Sequence, residues 1–323
     1  MNYSLKFQGR DYPLENKETV LDCLLAKKVT IPHSCKSGSC QSCLMQAVEG
    51  EIPRQAQLGL KPSYKRQRLF LACQCRPVED MTVKTVEQSD VNTSTTLVKR
   101  EYLNHNVLKI CLRPQALFEC EPGQYISLFS SAGDLRNYSV ANNPLRDGFI
   151  ELHIRVVENG LVSGWLKDQV AIDDEVIVRG PAGDCFYYCE DDNEFPISLV
   201  GTGTGLAPIY GIAKEAIVKK HKGLIQLFHG VLDKDDLYLA DKLQVLDDQY
   251  ENFNYIPCVL NGEEGEFYQT GDIQSLAYSH ITDKAMTRLF LCGAPEMVKS
   301  LKTNAFMAGL ASKNIFSDSF IPA

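Results

Sequence analysis

Three rhythms of apolar and polar residues follow one another along this chain. In the first, residues 3–7 and 11–14 alternate about Gln8-Gly9-Arg10 and predict a short hairpin. Val20, Leu21, Leu24 and Leu25 recur at i, i+1, i+4 and i+5, which predicts a helix over 18–28. Residues 81–86 alternate again, as a closing strand does. Residues 88–96, Gln88 to Thr96, are polar and without period, and they predict a linker. From Leu97 to about Glu190 short runs at 107–110, 125–129, 150–156 and 175–178 alternate in the strand period. Turn signals such as Glu121-Pro122-Gly123 separate them at a barrel-like spacing. After Asp191 continuous apolar runs at 197–200, 224–228, 253–259 and 289–292 alternate with helical faces. One such face carries Ile209, Ile212, Ala213, Ala216 and Ile217; others are expected over 237–246 and from about Pro295. Strand and helix in alternation imply a doubly wound parallel sheet. The expected architecture is therefore multidomain, β and α/β, with boundaries at 1–90, 97–190 and 191–323.

Composition narrows the function classes. A chain of 323 residues suits two or three domains, and 44% hydrophobic with 23% charged residues is ordinary for a globular protein. No run approaches the ~18 apolar residues of a membrane span, and the first residues lack the apolar run of a secretory signal. Residues 1–89 hold 13 Lys and Arg against 9 Asp and Glu, whereas the remainder holds 20 against 32. A net charge of −8 argues against a nucleic-acid partner. Lys61, Lys65, Arg66 and Arg68 form a basic cluster, either a solvated face or a docking patch for an acidic acceptor. Twelve cysteines without a dense framework fit reduced thiols in a cytoplasm better than a secreted disulfide scaffold.

Cysteine spacing brings in the first chemistry. Cys35, Cys40 and Cys43 stand as C-x4-C-x2-C, and Cys73 and Cys75 follow well downstream. This is the plant-type [2Fe-2S] spacing, in which four thiolates complete two iron tetrahedra. A four-cysteine zinc site usually pairs two C-x2-C hooks, and only Cys40/Cys43 makes one here. Cys73 and Cys75 lie two apart and project from one face of extended chain, so spacing leaves both open as the fourth ligand.

The later segments add motifs. Gly201-Thr202-Gly203-Thr204-Gly205 opens a helix directly after a buried strand, the geometry that cradles a pyrophosphate on backbone N–H groups. Arg136-Asn137-Tyr138-Ser139 and Gly160-Leu161-Val162-Ser163 lie in the barrel-like segment. Together they offer a guanidinium, a phenol and a helix start with Ser163 as its cap, enough to hold a flavin diphosphate. Taken singly, each is equally a surface pair, a core ring or a capped helix.

In this order, Arg-x-Tyr-Ser, Gly-x-x-Ser, Gly-Thr-Gly-x-Gly-x-x-Pro and Cys-Gly-x-Pro-x-Met resemble the ferredoxin–NADP reductase superfamily. With the cysteine loop in front, the chain is similar to the reductase components of bacterial multicomponent oxygenases and to the reductases of deoxysugar dehydrases. The resemblance implies a β-grasp ferredoxin domain, an antiparallel FAD barrel and a nucleotide-binding sheet, with Cys73 as the fourth cluster ligand. It implies that Arg136 contacts the FAD pyrophosphate, Tyr138 stacks on the isoalloxazine and Ser139 hydrogen-bonds near N5. His153, Gly160, Val162 and Ser163 would line the rest of the flavin site. Gly203, Thr204 and Gly205 would hold the nicotinamide dinucleotide. Cys292, in Leu291-Cys292-Gly293-Ala294-Pro295, would lie beside the nicotinamide. Phe320 would shield the flavin, unless the terminus frays. Relatives that prefer NADP place Arg or Ser after the second nucleotide-domain strand. Residues 229–236 here offer three acids and one lysine, which suits NADH. The expected function is electron transfer from NADH through FAD and a [2Fe-2S] cluster to an oxygenase component. A dehydrase or other acceptor is the alternative, and a redox-sensing interaction module is the third possibility.

Overall fold

The computed structural model describes residues 3–320 except 16, 32, 34, 35, 39–42, 61, 87–91, 190–192, 264 and 266, and omits the side chains of 62 and 63. The chain forms two compact units, Met1–Asp90 and Val91–Ala323.

In the first unit the expected hairpin is β1 (Tyr3–Phe7) and β2 (Arg10–Leu14), followed by α1 (Val20–Ala26). β3 (Leu44–Glu49), α2 (Pro62–Arg66), β4 (Leu69–Leu71) and β5 (Met81–Thr85) complete it. The sheet runs β2-β1-β5-β3-β4, with β1 and β5 parallel and the other pairs antiparallel, which is the β-grasp arrangement. α1 buries Val20, Leu21 and Leu24 with Leu5, Phe7, Met45, Phe70 and Val83 of the strands. Its start is fixed from two directions. The Thr19 hydroxyl accepts from the Asp22 N–H at 3.1 Å, and the N–H groups of Val20 and Leu21 reach the carbonyls of Cys75 and Ala72. The turn that carries Cys73 therefore serves as part of the helix cap.

The second unit opens with an antiparallel barrel. It comprises β6 (Asn92–Tyr102), β7 (Val107–Pro114), β8 (Tyr125–Phe129), β9 (Leu135–Ser139), α3 (Pro144–Asp147), β10 (Ile150–Arg155), α4 (Leu161–Asp168) and β11 (Glu175–Ala182). The strand order is β10-β7-β6-β11-β8-β9, and a bridge between Val140 and Leu152 joins the two ends. Leu97, Ile110, Leu112, Ile126, Leu128, Leu152, Ile154 and Val178 fill the interior. One expectation needs correction: residues 92–96 are strand, not linker. They pair with β11 from Glu175 to Arg179, and the fully buried Thr95 hydroxyl donates to the Val176 carbonyl at 2.6 Å. Ladder pairing satisfies their backbone whatever the polarity of the side chains. The rest of that stretch, residues 88–91, lies outside the described residues.

The expected parallel sheet follows. Its elements are β12 (Ile197–Thr202), α5 (Leu206–Val218), β13 (Ile225–Val231), α6 (Ala240–Gln249), β14 (Phe253–Val259), β15 (Gln269–Thr270), α7 (Ile273–Ser279), β16 (Arg288–Gly293), α8 (Pro295–Met307) and β17 (Ile315–Ser319). The order β15-β14-β13-β12-β16-β17 reverses direction beside β12, so the crevice for a ligand opens at the carboxyl ends of β12 and β16. α6 starts later than the expected residue 237 because residues 234–236 form a separate 3-10 turn. Arg146 of α3 reaches Glu215 of α5 at 2.9 Å and pins the barrel to the sheet. Among the described residues no helix is long and apolar enough to cross a membrane.

Candidate redox centre

In the first unit, Cys35 and Cys40 lie outside the described residues. Cys43 and Cys73 are brought together: the Ala72 N–H donates to the Cys43 carbonyl at 3.0 Å, and the Cys73 thiol acts on that of Cys43. Burial first, and then the adjoining Cys73 thiol, pushes Cys43 up to about 11. A cation that takes both sulfurs as thiolates would relieve that strain on ionisation, so the pair fits an iron–sulfur centre. Gln74 spans the site, its amide reaching the Lys36 carbonyl at 3.2 Å and the Cys73 sulfur at 3.6 Å. Cys75 turns the other way. It is wholly buried, lies 4.0 Å from Met81 Sδ, and burial pushes its thiol up to about 12.

In the second unit three elements meet at one point. β9 ends at Ser139, whose hydroxyl donates to Asp318 Oδ2 at 2.8 Å. Asp318 in β17 is the register partner of Cys292 in β16, and Cys292 pairs on its other side with Gly201 of β12. A barrel hydroxyl, a carboxyl and a thiol thus converge where the sheet reverses order. Burial raises the Asp318 carboxyl above its ordinary value, against the lowering effect of the Ser139 hydrogen bond. Asp318 escaped the sequence reading, because a single acid in a short terminal stretch has no periodicity or motif of its own. Up to Phe320 the tail is held: β17 is paired along its length, and the Phe320 N–H donates to the Gly293 carbonyl at 2.8 Å.

The remaining flavin candidates divide. Arg136 and Tyr138 share one face of β9, and burial pushes the Tyr138 phenol up to about 12. Gly160 is the N-cap of α4, so Ser163 lies inside the first turn and is not the cap. Its hydroxyl accepts from the Val157 N–H at 3.3 Å, and Val162 beside it is buried. The first N–H groups of α4 have no acceptor within the helix and suit an anion. His153 does not join this group. Its ring is fully buried against Tyr238, with Nε2 3.0 Å from Glu151 Oε1 and Nδ1 3.4 Å from the Tyr238 hydroxyl.

On the nucleotide side, Gly203, Thr204 and Gly205 form a 3-10 turn that leads into α5. A Cβ on Gly205 would collide with the Cys292 carbonyl, so only glycine lets the turn approach β16 this closely. Thr202 Oγ1 accepts from the Ala294 N–H at 2.9 Å, fixing the residue before Pro295 at the start of α8. Three family models fit this arrangement in order. A 2Fe-2S iron-sulfur cluster binding domain matches residues 6–78, an oxidoreductase FAD-binding domain matches 94–187 and an oxidoreductase NAD-binding domain matches 199–303.

By these three domains the chain is an iron–sulfur flavoprotein reductase.

Similar proteins share its full span. The reductase subunit of an aromatic O-demethylase from Amycolatopsis sp. is 29% identical over 334 residues, covering 100% of both chains. A CDP-6-deoxy-L-threo-D-glycero-4-hexulose-3-dehydrase reductase of Yersinia pestis is 27% identical over 333 residues, covering 100% of this chain and 99% of that one. The crystal structure of the Amycolatopsis cytochrome P450 reductase GcoB superposes with a TM-score of 0.66 at 28% identity, covering 99% of each chain. The protein is an oxidoreductase with domains for a [2Fe-2S] cluster, FAD and a nicotinamide dinucleotide. In this reductase the loop after β13 presents Asp233 and Asp235 to solvent. Asp236 is engaged by the barrel, its carbonyl accepting from Asn104 Nδ2 at 2.9 Å and its carboxylate lying 3.5 Å from His105 Nε2.

Proposed function

We propose that this reductase takes hydride from NADH and passes single electrons through its cluster to an oxygenase component. The convergence of Ser139, Asp318 and Cys292 carries this reading, because it joins the end of a flavin-barrel strand to the mouth of a nucleotide crevice. Bound there, FAD would supply two-electron hydride chemistry and the cluster one-electron transfer. Arg136, Tyr138, Gly160, Val162 and Ser163 hold the flavin, and Gly203, Thr204, Gly205, Gly293 and Pro295 frame the dinucleotide. The Ser139–Asp318 pair stands at the flavin edge, where burial makes the carboxyl a weaker acid than usual. Cys292, fully buried, keeps water from the nicotinamide face, and Phe320 covers the flavin. Cys35, Cys40, Cys43 and Cys73 ligate the cluster. His153 acts at a distance by fixing Glu151 and Tyr238.

Asp233 and Asp235 favour a ribose hydroxyl over a 2′-phosphate, which supports NADH. A reductase component of a naphthalene 1,2-dioxygenase system from Pseudomonas putida, 28% identical over 328 residues, supports an oxygenase acceptor, and the dehydrase reductase supports the second reading. No disulfide joins the described cysteines, which suits the cytoplasm. Anaerobic titration with NADH and then NADPH, followed by absorption and EPR, tests the proposal. Flavin bleaching and a reduced [2Fe-2S] signal at lower NADH than NADPH are expected. An unchanged spectrum with NADH rejects the reductase reading.

A further inference from the structure

Cys185 is a buried thiol that the reaction outlined above does not use. It follows β11, in the passage from the barrel to the nucleotide sheet, and its sulfur lies 3.5 Å from Cys292 Sγ. Both residues are buried, Cys292 completely.

The main chains on both sides of this contact are pinned. Cys292 is paired with Gly201 on one side and Asp318 on the other, and its carbonyl abuts Gly205. The carbonyl of Cys185 is pressed against Gly123 of the barrel, where a Cβ would collide with it. With its backbone fixed, Cys292 keeps one side-chain torsion, and that torsion decides where its sulfur points. Asp318 lies beside Cys292 in the adjoining strand, and the Cys185 sulfur meets that of Cys292 at 3.5 Å.

We propose that Cys185 is a positioning residue for hydride transfer: its thiol sets the rotamer of Cys292 and keys the nucleotide sheet to the flavin barrel. The inference rests on the placement of nicotinamide beside Cys292 under the proposed function. Cys185 reaches both sides of the transfer gap at once, through Gly123 to the barrel and through sulfur to β16. The pair works as two thiols and not as a disulfide. Burial, and after it the hydrogen bond with Cys185, holds the Cys292 thiol well above its ordinary value, so the thiolate that begins oxidation is scarce.

Two readouts on the holoprotein test this. The first is the infrared S–H stretching band of Cys292, assigned by its loss in Cys292→Ala. It is expected to shift in Cys185→Ala and to return towards its position in Cys185→Ser, whose hydroxyl restores a partner. The second is anaerobic stopped-flow reduction with NADH and 4-deuterated NADH. Cys185→Ala is expected to lower the limiting rate roughly tenfold and raise the isotope effect, as misplaced reactants do. The saturation constant for NADH is expected to hold, and Cys185→Ser to recover most of the rate. Cys185→Ala with the wild-type rate, or with a reduced rate and an unmoved S–H band, overturns the inference alone. If NADH fails to reduce the wild-type flavin, the proposed function falls and takes the inference with it.

Discussion

Cys75 lies in the core of the first unit against Met81, while Cys73, two residues earlier, faces Cys43. The difference separates a packing thiol from the proposed ligand and gives a paired expectation. Cys73→Ser should abolish the visible and EPR signature of the cluster. Cys75→Ser should keep that signature and lower unfolding stability by roughly 1–3 kcal/mol, the cost of an unsatisfied buried hydroxyl. A cluster lost only in Cys75→Ser would reverse the assignment. At this scale the sequence was most legible where chemistry imposes spacing, as in the cysteine pattern that the 2Fe-2S domain match supports. It was least legible where function comes from an approach across the fold. Asp318 meets Ser139 over 179 positions, and His153 faces Tyr238 because alternate β10 side chains point out of the barrel.

Among the elements, the turn from β12 into α5 is tightly confined. Gly205 is required by the Cys292 carbonyl, so Gly205→Ala must push either the turn or β16 aside. NADH-driven flavin reduction should fall by at least an order of magnitude, as when reacting groups are displaced by about 1 Å. Photochemical or dithionite reduction of the flavin should stay intact. Wild-type NADH kinetics in this variant would mean that the close approach has no part in nucleotide binding. Apolar period predicted this strand and helix well, because both are buried and their patterns are strong. The same signal failed at the start of β6. There a polar run lies in a strand whose stability comes from ladder hydrogen bonds with β11 and from Thr95, not from an apolar face.

Across the second unit as a whole, a buried charged network joins barrel to nucleotide sheet and makes its stability depend on pH. Lys109 lies 3.2 Å from Glu151, Glu151 lies 3.0 Å from His153 Nε2, and Tyr238 reaches His153 Nδ1. Burial opposes ionisation of Glu151, but the His153 hydrogen bond and the Lys109 charge overcome it and hold the carboxyl at about 2. Burial pushes the His153 imidazole below its ordinary value, with Glu151 resisting. A neutral ring then donates from Nε2–H to Glu151 and accepts at Nδ1 from Tyr238, so every polar atom of the link has a partner. Both shifts have the same sign: the unfolded chain binds more protons than the folded one. Stability should begin to erode as pH falls through the ordinary histidine range. It should then lose on the order of 3 kcal/mol more between the ordinary glutamate value of 4.5 and about 2. Thermal unfolding as a function of pH checks this, with Glu151→Gln as the comparison. The variant should be less stable at neutral pH, because Lys109 loses its nearest carboxylate, and should show a flatter decline below the glutamate range. Parallel declines in the two proteins would show that acid opens the unit elsewhere and that the network does not govern the junction.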